Sequence, residues 1–271
     1  MSSLTSIPTL IAGLPARRVE GAKGRPPILL LHGAFVTHQS FQYWQDGLAA
    51  ADWGSVAFSY RGRLGIPPEK AAGLTIADYV ADARNVAAEL GETPILMGHS
   101  LGGLVAMKLL EAGLGRAAVL MSPAPAGMLT AQAVALPSYL PMLPSILAGR
   151  PFLPPAGTCS RIVLNRVPPE QHAAFHGSLV PESGKVYREM MAGGQRVDAR
   201  KIAAPVMVIG GTEDRIISAG LMRRTAAALR GELRLLSGRG HLFFAEPGWE
   251  AALAEITAWL DRSVMQARQA A

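Results

Sequence analysis

The chain has 271 residues, 49% of them hydrophobic and 17% charged, with a formal net charge of +6. That length fits one large α/β domain with room for an insertion, and the apolar content is enough for a sizeable core. No apolar run reaches the ~18 residues needed to span a bilayer, the basic residues lack the blocks and aromatic interleaving of a nucleic-acid binder, and a lone Cys159 excludes an intramolecular disulfide. Met1 to Arg18 has no basic region ahead of an apolar stretch, unlike a secretory signal. A cytoplasmic chain with neither membrane nor nucleic acid as partner is therefore expected, and a homodimer stays open.

In chain order, Val19 falls in a short early strand, and Ile28-Leu29-Leu30-Leu31 reads as a buried one. Ser40–Ala51 reads as a helix and Ser55–Tyr60 as a strand, ended by Arg61-Gly62-Arg63-Leu64-Gly65. Thr75 is placed to cap a helix from Ile76 to Leu90, which Gly91 stops. Pro94–Gly98 is a strand, followed by a helix closing near Gly113 and a strand at Ala117–Met121. Later strands fall at Pro205–Ile209 and Leu233–Leu236, with a helix over about Ala219–Arg230 between them. A last amphipathic helix is expected over about Pro247–Met265. Strands alternating with helices predict an α/β fold, a mostly parallel sheet covered on both faces.

Between Met121 and Pro205 the alternation stops. Prolines at 137, 141, 144, 151, 154 and 155 break any long helix, so short helices are expected over 127–148, around 168–176 and over 183–192. The division that follows is a core of 1–122 and 201–271 with a helical cap of 123–200 over the sheet's carboxyl edge, where open α/β sheets place their sites. From Ala112 to Pro169 there is no Asp or Glu, while Arg116, Arg150, Arg161 and Arg166 are present. This reads either as ordinary surface charge or as a site entrance that attracts anions.

The chemistry centres on Gly98-His99-Ser100-Leu101-Gly102, between a strand and a helix. A serine on such a turn, with glycine two residues to either side, is the nucleophile-elbow pattern. Small neighbours let strand and helix approach closely, and the free N–H groups of the helix start face the place where negative charge develops. A serine hydroxyl needs a base, and the base an orienting acid. His241, in Gly238-Arg239-Gly240-His241 after the last strand, is the base; Asp214, in Gly210-Gly211-Thr212-Glu213-Asp214, is the acid, with Glu213 its rival. The loop after Met121, Ser122-Pro123-Ala124-Pro125, offers no carboxylate. Backbone N–H groups of Leu101 and Ala34 are the candidate oxyanion donors. Phe35, Met128 and Met142 are candidate pocket residues.

These motifs, His32-Gly33-Ala34-Phe35, Gly98-His99-Ser100-Leu101-Gly102-Gly103, Gly211-Thr212-Glu213-Asp214-Arg215 and Gly240-His241, resemble the α/β-hydrolase superfamily in its capped serine-esterase or lactonase branch, over roughly residues 20–265. The resemblance implies a cofactor-free serine hydrolase acting on a small-molecule ester or lactone. Ser100 in place of aspartate separates the chain from haloalkane dehalogenases and epoxide hydrolases. One departure is Ser59-Tyr60-Arg61-Gly62, where such proteins often carry Asp-x-Arg-Gly, so a turn or pocket-edge contact should differ. The same triad could serve C–C bond hydrolysis, perhydrolysis or cyanohydrin cleavage, or be kept in a non-catalytic receptor. His172 and His176 are spaced i, i+4, but no third metal ligand is evident, so they read as surface histidines and no metal is expected. His32 and His99 read as structural.

Overall fold

The computed structural model describes residues 9–64, 68–127, 129 and 132–265. Eight strands form one sheet: β1 (Thr9–Ile11), β2 (Leu14–Val19), β3 (Ile28–Leu31), β4 (Ser55–Phe58), β5 (Ile95–His99), β6 (Ala117–Met121), β7 (Val206–Gly211) and β8 (Glu232–Leu236), in the spatial order β1-β2-β4-β3-β5-β6-β7-β8. β1 and β2 pair antiparallel at one edge, and β4 to β8 with β3 run parallel. This is the α/β hydrolase architecture.

The parallel strands read as unbroken apolar runs because both faces are covered. Alternate residues serve opposite faces. Leu29, Leu31, Leu96, Leu120 and Val208 pack with the helices α2 (Ile76–Glu89), α3 (Leu101–Glu111) and α9 (Ala219–Leu229). Ile28, Leu30, Met97, Val119 and Ile209 pack on the other side with α1 (Gln42–Ala50) and α10 (Glu250–Leu260). Helix α2 starts as its sequence requires. Thr75 accepts from the Asp78 N–H while the Asp78 carboxylate accepts from the Thr75 N–H, a reciprocal cap.

The 55–60 strand ends at Phe58, two residues early; the Ser59 N–H still donates to the Pro15 carbonyl of β2, while its hydroxyl bonds His38. The last regular helix starts at Glu250 rather than Pro247, and beyond Leu260 it loosens into a wider turn over Asp261–Met265. The β1 strand is an addition to the sequence reading. It forms a hairpin with β2 through Ala12-Gly13, both at positive φ.

Among the described residues between β6 and β7, the α-helices are all short: α4 (Leu136–Tyr139), α5 (Leu143–Ala148), α6 (Ala156–Thr158), α7 (His172–Gly177) and α8 (Gly184–Met191). A 3-10 turn at Leu140–Met142 joins α4 to α5, so the first run begins at 136 rather than 127. A bridge between Phe152 and Glu182 is the one strand-like pairing among the described residues of this stretch. Three buried groups tie it to the sheet side. Arg63, in the loop after β4, meets Glu182 at 2.6 Å, and the Tyr79 hydroxyl of α2 donates to the same carboxylate at 2.7 Å. The Arg63 and Glu182 side chains are 1% and 0% exposed.

Candidate active site

Ser100 sits between β5 and α3 with φ 53° and ψ −118°, a conformation L residues rarely hold. The surrounding structure imposes it. The Ser100 N–H donates to Met121 O at 3.0 Å, and its carbonyl accepts from Ala124 N at 2.9 Å. The turn is also tight against the neighbouring strand. A Cβ on Gly102 would lie 2.0 Å from the Leu31 carbonyl oxygen, so only glycine fits.

The acid and base loops meet beside it. At the end of β7, a Cβ on Gly211 would fall 2.0 Å from the Arg239 carbonyl oxygen, so the histidine loop lies directly on the acid loop. The Asp214 carboxylate has three partners. Oδ1 accepts the N–H groups of Ile216 (2.8 Å) and Ile217 (2.9 Å), and Oδ2 bonds His241 Nδ1 at 2.8 Å. The rival Glu213 points elsewhere. It is 47% exposed and faces Arg166, whereas the Asp214 side chain is fully buried. Ser100 and His241 line one cavity without a direct hydrogen bond between them; such contacts often tighten only with substrate present.

Two further histidines support this arrangement. His99 Nε2 donates to the His241 carbonyl at 3.1 Å, and the two rings lie 4.6 Å apart. Burial holds the His99 imidazole well below its ordinary value, with the facing His241 ring adding to the effect, so it stays neutral. His32 is likewise buried and neutral. It bonds the Gly33 carbonyl at 2.8 Å and fixes the turn after β3. That turn passes against the serine: a Cβ on Gly33 would be 3.3 Å from Ser100 Cβ. Ala34 follows on the cavity wall, and the Leu101 N–H belongs to the first turn of α3, which has no intrahelical acceptor.

The cavity holds about 300 Å³ and is mostly apolar. Phe35 and Met142 line it, as the sequence suggested; Met128 lies outside the described residues. Phe35 takes φ 65° and packs edge-on against Phe152 at 5.1 Å. The sequence reading missed Tyr187 and Met190 of α8, Ile216 and Ile217 beside the acid, and Phe244 after the base. Two signals could have found them. Tyr187 and Met190 share one face of α8 with Val186, and residues flanking an acid or base must border the site. Cys159 also lines the cavity, where burial pushes its thiol up to about 11, so it is an inert wall residue.

Several smaller expectations change. Ser59, at the departure from Asp-x-Arg-Gly, bonds His38 Nδ1 at 2.8 Å, and Arg61 turns to Asp82 of α2 at 2.6 Å. His172 and His176 are not free surface histidines. They bond Ser160 Oγ, the Val167 carbonyl and the Pro154 carbonyl, and so stitch the 154–176 loops together. Among the described residues, no group of three or more His, Cys, Asp or Glu is arranged to hold a metal ion, and no helix is long and apolar enough to cross a membrane.

The fold and the loops at its carboxyl edge define an α/β hydrolase. The chain belongs to the alpha/beta hydrolase family, whose model matches residues 28–253. A monoacylglycerol lipase from Paleococcus ferrophilus superposes with a TM-score of 0.70 at 24% identity, over 91% of this chain and 98% of that one. An esterase from Rhodococcus sp. gives 0.68 at 22% identity, over 95% and 97%. A soluble variant of monoglyceride lipase from Saccharomyces cerevisiae gives 0.71 at 16% identity, over 92% of each chain. No curated protein matches the sequence significantly.

Proposed function

We propose that the protein is a serine hydrolase that cleaves a carboxylic ester or lactone of a small to medium apolar substrate through an acyl-enzyme. Ser100 Oγ attacks the carbonyl carbon while His241 Nε2 takes its proton. Asp214 holds Nδ1–H and stabilises the imidazolium. The N–H groups of Leu101 and Ala34 receive the oxyanion. His241 returns the proton to the departing alcohol oxygen as the C–O bond breaks. It then takes a proton from water as the water oxygen attacks the acyl carbon, and gives that proton to Ser100 Oγ as the acyl–Oγ bond breaks, which releases the acid and free Ser100. No cofactor enters any step.

The observation that carries this reading is the buried 2.8 Å bond between Asp214 and His241 beside a serine held at φ 53° on an apolar cavity. The lining supports an apolar acyl or alcohol group rather than a charged one. Residues 123–200 act in this reading as the cap that supplies one wall through Met142, Tyr187 and Met190. The lipase and esterase names of similar structures agree with ester chemistry. Turnover of p-nitrophenyl esters of rising chain length, with Ser100→Ala as control, tests it. The wild-type chain is expected to hydrolyse the esters, and Ser100→Ala to lose about 10³-fold or more with an unchanged circular dichroism spectrum. Equal activity in both would overturn the mechanism. Ester binding without turnover would point to a receptor.

A further inference from the structure

The helical run from Leu136 to Ala148 has two apolar faces. Tyr139, Met142 and Ile146 point inward and are buried, and Met142 reaches the cavity. On the outer face Leu136, Leu140 and Leu147 are 54%, 65% and 66% exposed. The spacing 136, 140, 147 puts them on one side of the helix. Val134 and Leu153, close in sequence, are also exposed, so five of the seven exposed large apolar side chains among the described residues lie between residues 134 and 153. Concentrated apolar exposure of this kind marks an interaction surface, whereas scattered exposure does not.

The charge around the patch selects the partner. The segment from Ala112 to Pro169 contains no carboxylate, and Arg150 follows the helix directly. Helix α8 packs beside it and brings Lys185 and Arg188; the Arg188 guanidinium donates to the Leu147 carbonyl at 2.8 Å. The two carboxylates in and just before α8 are both engaged elsewhere. Glu182 is paired with Arg63, and Glu189 accepts the Ile76 N–H at 3.0 Å. An apolar stripe whose rim carries Arg150, Lys185 and Arg188, with Glu189 and Asp78 turned toward the start of α2, suits an interface of fatty chains beneath anionic headgroups. A second copy docking through the same face would bring an identical rim, so the arginines and Lys185 would meet like charges.

We propose that this outer face docks on an anionic phospholipid bilayer, lying on the surface without crossing it. The expectation of no membrane partner rested on the lack of a spanning run, which surface docking does not require. One helix then separates the lipid from the cavity wall at Met142.

The test is co-sedimentation of the full chain with phosphatidylcholine vesicles, with and without phosphatidylglycerol. The protein is expected to partition onto the anionic vesicles, more weakly onto neutral ones, and less as NaCl rises. Leu140→Glu with Leu147→Glu should lower partitioning about tenfold or more while circular dichroism and turnover of a water-soluble short ester stay as in the wild type. Should that pair unfold, Leu140→Ser with Leu147→Ser serves. Undiminished partitioning of the folded variant, or no partitioning of the wild type, overturns the proposal. So does a dimer in sedimentation velocity that Leu140→Glu dissolves in a chain that ignores vesicles. Binding is read without turnover and can be repeated in Ser100→Ala, so its failure is distinct from failure of the ester-hydrolysis reading.

Discussion

The sheet side and the helical segment 123–200 meet at one cavity but are held by different physics. On the sheet side the acid and base of the proposed triad are held from several directions at once. Asp214 has three hydrogen-bond partners, His241 is held at its ring by Asp214 and at its carbonyl by His99, and the glycine at 102 lets two backbones touch. The segment contributes mostly apolar surface to the cavity, through Met142, Ile162 and Met190. Its polar groups go into attachment. Gln132 donates to the Asp214 carbonyl at 2.7 Å, Asn165 to the Glu213 carbonyl at 3.0 Å, and Glu182 takes the buried Arg63. Sheet-side substitutions should therefore change the rate of the chemical step. Substitutions in the segment's attachments should change stability and leave that rate nearly intact.

The largest separation is expected within one loop. Asp214→Asn should lower kcat by about 10⁴-fold, the scale on which a neutralised triad acid loses the correct histidine tautomer. Glu213→Gln, one residue away and half exposed, should change kcat less than about tenfold. Steady-state kinetics on one ester checks both, and a reversed order would move the acid to Glu213.

Next in size is the attachment. Glu182→Gln leaves Arg63 charged and buried, which should cost about 3–5 kcal/mol of stability. Urea unfolding measures the loss. Turnover of a short ester by the folded variant should stay within about tenfold of wild type, because neither side chain lines the cavity. A large kcat loss at full stability would erase the contrast between the regions.

The smallest effect per residue is a pH dependence of the sheet side. Burial holds His32 and His99 well below the ordinary 6.5, with the charge of Arg63 adding for His32 and the His241 ring for His99. Below about pH 6.5 the unfolded chain thus binds protons that the folded chain does not. Stability from this source is full above that pH and is lost as pH falls from there toward the folded values. The slope is up to about 1.4 kcal/mol per pH unit for each histidine. His38, lowered by burial and then by Arg17, adds in the same direction. Urea midpoints that hold constant from about pH 7.5 to about pH 5.5 would contradict neutral burial.

Much of the sheet side was legible because its signals are local. Ile28–Leu31 and Ala117–Met121 are apolar runs bounded by breakers, and Thr75 with Asp78 writes its own cap. The candidate site was legible for a related reason: its residues sit in the loops just after strands. Asp214 was readable as the acid, but setting aside its neighbour Glu213 takes the direction of a side chain, which spacing does not contain. The Arg63–Glu182 pair joins residues 119 apart and has no local signature. The β1 strand, three residues at the sheet edge with Leu10 exposed, carries too little apolar pattern to be read. The segment's short helices were placed by its prolines, but which of their side chains face the cavity depends on packing that no single turn encodes.

The central claim is that Ser100 is the acylated atom's residue. Intact mass and peptide mapping after treatment with a fluorophosphonate test it most directly. A single phosphonyl adduct on the peptide carrying Ser100, formed in wild type and strongly slowed in His241→Ala, is the predicted result. An adduct on another serine, or none from a preparation that hydrolyses esters, would contradict it.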